Sequence, residues 1–155
     1  AESRRREIQK TIFRFGLEDE RFARMILDNL DIGDLEGTEF MDYYKALDSA
    51  LKANVDVRGS AFTGAFEDPV LSALASEIAL QELPPGPPEE LLTDTLQWLK
   101  KEALKEELDM MKKRLRALEG DTGDDADREK REISRTYQEL SRRLKSHKAQ
   151  GGNPD

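Results

Sequence analysis

Two segments near the C-terminus carry apolar residues at helical intervals, in mirror order about an acidic, glycine-containing turn. Leu104, Leu108, Met111, Leu115 and Leu118 step by four, three, four and three; beyond GDTGDD, Ile133, Tyr137, Leu140 and Leu144 step by four, three and four. Such steps put each set on one stripe of an α-helix. Folding the chain back near Thr122 sets Met111 opposite Ile133, Leu108 opposite Tyr137 and Leu104 opposite Leu140, an antiparallel helical hairpin with an apolar seam. Two helices alone bury little surface and are marginal in water, so this hairpin reads as a docking element.

Upstream, the same periodicity predicts shorter helices. Residues 7–15 align Ile8, Ile12 and Phe15, and after Gly16 the segment LEDERFARMILDNL aligns Phe22, Met25, Ile26 and Leu30. DIGDLEGTEF is a loop, from which Thr38 is placed to cap a helix bearing Phe40, Tyr43, Tyr44, Leu47 and Leu51. Between 54 and 66 the signals support one short helix among Gly59 and Gly64. Asp68 followed by Pro69 is a strong helix start, with Leu71, Leu74, Ile78 and Leu83 as the buried stripe.

PPGPP at 84–88 predicts a stiff, extended connector that is not helical. The next helix begins near Glu89 and meets no breaker before Gly120, a length of about 45 Å at 1.5 Å per residue. Its first half is apolar nearly all round (Leu91, Leu92, Leu96, Trp98, Leu99, Ala103) and its second half narrows to the seam. Trp98 is read as core. The expected fold is all-α: a bundle of about five to six helices over 1–99, joined by a long helix to an antiparallel hairpin over 100–149, with a disordered tail at 150–155.

Composition supports that division. Apolar and charged residues each make up 37% of the 155 residues, a balance that suits exposed helix faces better than one thick core. Through Leu83 there are 17 acidic and 10 basic residues, a net of −7, whereas from 89 to 149 there are 15 of each. So acidic a front portion repels phosphates, and protein partners are expected rather than nucleic acid. No apolar run reaches the ~20 residues of a membrane span, and no signal core follows the basic opening AESRRREIQK. Opening at Ala1 rather than Met, the sequence reads as a piece of a longer chain.

Candidate chemistry is sparse. With no cysteine there are no disulfides, thiolate zinc sites or cysteine nucleophiles, which leaves the compartment open, with an intracellular home as the default expectation. A calcium loop over 28–39 would need oxygen ligands at Leu30 and Ile32, which neither side chain has. His147, the only histidine, excludes a two-histidine metal site and sits where a cation complements exposed helix carbonyls. The glycines of RGSAFTGAF lack the lysine and serine or threonine of a phosphate loop. Paired carboxylates such as Glu106 with Glu107 and Asp124 with Asp125 read as solvated faces. No catalytic residue and no cofactor is assigned. Tyr137 can serve the seam and a partner together, since its hydroxyl needs a polar neighbour while its ring can be shared. Arg142, Arg143, Lys145 and Lys148 cluster on the closing turns, where they can orient docking.

The segments IFRFGLEDERFARMILDNLDIGDLEGTEFMDYYKAL, DPVLSALASEIALQE and LKKEALKEELDMMKKRLRALEGDTGDDADREKREISRTYQELSRRLKSH cover most of residues 8–148. In this succession the chain resembles the C-terminal helicase-binding domain of bacterial DNA primase, the DnaG family. PPGPP is a feature not matched to that family. The resemblance implies a non-catalytic bacterial, cytoplasmic module that docks on the N-terminal domains of the hexameric replicative helicase, DnaB, recruits primase to the fork and modulates the helicase. It places the contact on the second hairpin arm, at Tyr137, Leu140, Arg143, Leu144, His147 and Lys148. Two other readings stand beside it: a hairpin that pairs with a second copy, and an acidic regulator that binds through the 28–39 loop.

Overall fold

The computed structural model describes residues 3–150, with side chains as far as His147; the Lys148 side chain and residues 151–155 of the expected tail lie outside the described residues. The described residues form an all-α protein without strands. Its helices are α1 (Arg4–Gly16), α2 (Glu20–Asn29), α3 (Thr38–Lys52), α4 (Ser60–Thr63), α5 (Pro69–Leu80), α6 (Pro88–Ala117) and α7 (Asp124–Gln150). The chain divides into two compact units, Ala1–Leu99 and Lys100–Asp155.

In the first unit the helix starts follow from side chains that accept otherwise unpaired backbone N–H groups. Ser3 accepts from the Arg6 amide, Asp19 from Arg21 and Asp68 from Leu71. The Ser3 cap lets α1 begin at Arg4, ahead of the expected residue 7. Thr38 does not cap α3. Gly37 holds that place at φ 102°, a turn that β-branched residues rarely adopt, and its carbonyl accepts from the Phe40 and Met41 amides. The connector is also shorter than expected, because Pro88 opens α6. Proline suits a first helical turn, where its missing N–H would have no partner.

Within this unit α1 packs on α2 and α5, α3 packs on the same two helices, and α4 covers part of α5. An aromatic cluster fills the centre: Phe13 meets Tyr43 edge to face at 4.9 Å, and Tyr43 meets Phe62 at 5.9 Å and Phe66 at 5.8 Å. The first turns of α6 contribute Leu92, Leu96 and Leu99 to the same core. Trp98 is half-buried against it, with the Arg4 guanidinium 5.2 Å from its ring centre.

The second unit is the hairpin formed by α7 and the part of α6 from Lys100 onward. Ion pairing of Arg114 with Glu129 at 2.8 Å, the Lys112 ammonium 5.9 Å from the Tyr137 ring centre, and the Lys130 ammonium donating to the Asp121 carbonyl at 2.7 Å join the arms in antiparallel sense. Gly120, at φ 86°, supplies the left-handed turn after α6, and the acidic first turn of α7 (Asp124, Asp125, Asp127) suits the positive end of that helix.

Candidate functional site

The seam contains the residues expected of it. Leu108, Leu118 and Leu140 are buried, while Leu104, Met111, Leu115, Ile133, Tyr137 and Leu144 are half-covered. Ala126 is buried as well, in register with Leu118; it lies one heptad before Ile133, so extending the repeat backward would have found it. Met110 is 67% exposed on the outer side of α6. Of the adjacent methionines only Met111 fits the seam, which leaves Met110 as a free apolar group that periodicity alone passes over.

Of the expected contact residues, five have described side chains. Tyr137, Leu140, Leu144 and His147 follow one another at steps of three and four, and so share one side of α7, with Arg143 on its flank. Leu140 is only 6% exposed and belongs to the interior of the hairpin. Tyr137, Leu144 and His147 are half-buried, and Arg142, Arg143 and Lys145 are exposed. The surface able to meet a partner is therefore the outer edge of the seam with Arg143 on its margin, while Arg142 and Lys145 lie on other sides of the same turns. Within the hairpin this basic end lies away from the 118–124 turn, where Glu119, Asp121, Asp124 and Asp125 make the opposite end acidic. The Arg114 guanidinium, chiefly through its hydrogen bond, holds the Glu129 carboxyl below its ordinary pKa.

The acidic 28–39 loop is organised inward. Gln9, fully buried, donates to the Glu36 carbonyl at 2.9 Å and accepts from the Glu36 amide at 2.6 Å. Ser3 donates to the Glu36 carboxylate at 2.8 Å, and Arg5 donates to the Asp34 carbonyl at 2.6 Å. Arg6 binds Glu39 and lowers its pKa, chiefly through the hydrogen bond. The Tyr44 hydroxyl shares its one proton between the Leu27 and Leu30 carbonyls, at 3.0 and 2.7 Å, tying α3 to the end of α2. Leu30 and Leu35 are core residues, so the loop closes the first unit. No group of His, Cys, Asp and Glu among the described residues could hold a metal ion, and no described helix is long and apolar enough to cross a membrane.

Together these features describe an all-α protein whose candidate site is a helix surface. Compared with protein-family models, with curated proteins and with solved structures, the chain matches none.

Proposed function

We propose that this chain is a non-catalytic docking module, the helicase-interaction part of a bacterial primase, which binds the N-terminal domains of the hexameric replicative helicase through α7. The observation that carries the reading is the side of α7 where Tyr137, Leu144 and His147 remain half-covered, with exposed Arg143 on its flank. Half-covered apolar groups gain from further burial, and a basic margin sets orientation and speeds encounter. Docking would raise the local concentration of primase at the fork and couple priming to unwinding.

A pull-down of the whole chain with purified hexameric helicase tests this directly. Retention that weakens only modestly with added salt supports a contact built on apolar burial, and no retention at micromolar concentrations of both proteins contradicts it.

Self-pairing of two hairpins draws on the same half-covered seam, and sedimentation of the chain alone distinguishes it: a stable dimer at micromolar concentration favours that second reading. The acidic-regulator reading has less support. Glu36 and Glu39 already bind Ser3 and Arg6, so a partner at that loop would compete with the closure of the first unit.

A further inference from the structure

Beyond Leu99, helix α6 carries a second stripe, on the side turned away from the seam. Glu102, Glu106, Asp109, Lys113 and Arg116 step by four, three, four and three, and so share one side of the helix. The charge along this stripe reverses midway, with acids first and bases after. Glu102 is half-covered and bonds Lys105 at 3.5 Å, while Glu106, Asp109, Lys113 and Arg116 are exposed. Asp109, Lys113 and Arg116 have no ion-pair partner among the described residues. Beside the point of reversal stands Met110, 67% exposed, with Ala103 and Ala117 one heptad to either side of it. Those short side chains let another helix come close around the methionine.

A surface whose charge reverses halfway along matches its own copy turned end for end. When two α6 helices lie antiparallel about a two-fold axis at Met110, residues equally far before and after that methionine face one another. Glu106 of one copy then meets Lys113 of the other, Glu107 meets Arg114, and Glu102 approaches Arg116, each pair occurring twice. Met110 lies against Met110 at the centre. Arg114 also holds Glu129 of its own hairpin, so the flank away from α7, Glu106 with Lys113, decides the match. A parallel pair would set acid beside acid and base beside base at every height, and a partner of one sign would be attracted by one half and repelled by the other.

We infer that this side of α6 is a self-recognition surface, on which two copies of the chain pair antiparallel through Met110 and the reversing charge stripe. The contact is narrow, with one large apolar side chain from each copy and exposed ion pairs that each contribute little. Pairing is therefore weak, with a Kd on the order of 0.1–1 mM, and is populated only where copies are concentrated. It belongs to the Lys100–Asp155 unit and uses a different surface from the Tyr137 and Leu144 edge of α7, so it stands whether or not α7 binds a helicase.

The test dilutes the whole isotope-labelled chain from roughly 1 mM, near the expected Kd, and follows amide shifts together with mass by sedimentation. The amides of Glu106, Met110 and Lys113 should move reversibly as dimer gives way to monomer, and added salt should weaken the pairing. Glu106→Lys and Lys113→Glu, both at exposed positions, should each weaken it about tenfold with helix content and Tm unchanged, because each substitution acts twice across the axis. Mixed in equal amounts, these two variants should pair with each other about as well as the wild type, since Lys at 106 then meets Glu at 113 and the reverse. Met110→Gln should weaken pairing with the charges left in place. A chain that stays monomeric at the highest concentration, single variants that pair as the wild type does, or a mixture no better than its parts overturns the inference. So does loss of pairing in Tyr137→Ala combined with Leu144→Ala, which would put the contact on the edge of α7.

Discussion

Gln9 shows what one buried polar side chain does in this fold. Its amide satisfies both the N–H and the C=O of Glu36, standing in for a backbone partner that the loop before α3 lacks. Gln9→Ala leaves both groups without that partner, and each buried unsatisfied group costs on the order of 1–3 kcal/mol. Urea unfolding should therefore show a loss of about 2–4 kcal/mol; a loss below about 0.5 kcal/mol, the usual size of a neutral surface change, would mean that the bridge contributes nothing. Tyr43 is the converse case. Its ring is central to the core, yet its hydroxyl has no hydrogen-bond partner, and burial raises its pKa above the ordinary value of 10.0. Tyr43→Phe removes the orphan oxygen and keeps the ring, so stability should hold or rise by up to about 1 kcal/mol. The raised pKa also has a sign. The folded state keeps the proton that the unfolded chain releases, so this contribution is intact below pH 10.0 and falls away as pH rises beyond it. Tyr43→Phe should flatten part of the alkaline decline, measured as Tm against pH.

At the scale of elements, the legible features were those written in local chemistry. Asp68 with Pro69 marked the start of α5, and steps of three and four marked the seam. What the chain order did not reveal depended on a backbone angle or on distant partners. Thr38 looked like the cap of α3, but Gly37 turns at φ 102° and takes that place. Gly37→Ala tests the point. A Cβ there would lie 3.1 Å from the Glu39 carboxylate and 3.2 Å from the Arg6 guanidinium, at a left-handed φ that costs an L-residue roughly 1–2 kcal/mol. A drop of that size in urea unfolding is the expected outcome, and an unchanged midpoint would restore Thr38 as a working cap. The inward role of the 28–39 loop was similarly hidden. In sequence the segment read as a loop between helices, or as an acidic contact for a partner, because the Ser3, Arg6 and Gln9 groups that meet it lie 27 to 33 residues away.

On the scale of the whole molecule, the all-α class was readable because apolar residues recur at steps of three and four along most of the chain, and the described residues are helical throughout their regular elements. The site was only partly readable. Periodicity put Tyr137, Leu140, Leu144 and His147 on one side of α7, but could not rank their exposure. That ranking makes Leu140 an interior residue of the hairpin and leaves Tyr137 and Leu144 on the edge. The outer side of α6 was missed for a related reason. A stripe assigned to the seam draws attention away from the residues beside it, and only exposure separates Met110 from Met111.

The central claim is that the edge of α7 grips another macromolecule, and calorimetric titration of the whole chain onto the purified helicase N-terminal domain tests it most directly. Tyr137→Ala combined with Leu144→Ala should weaken binding by about 2 kcal/mol or more, roughly thirtyfold, with helix content preserved by circular dichroism. Unchanged affinity in the double variant would remove the hairpin from the interface and contradict the account.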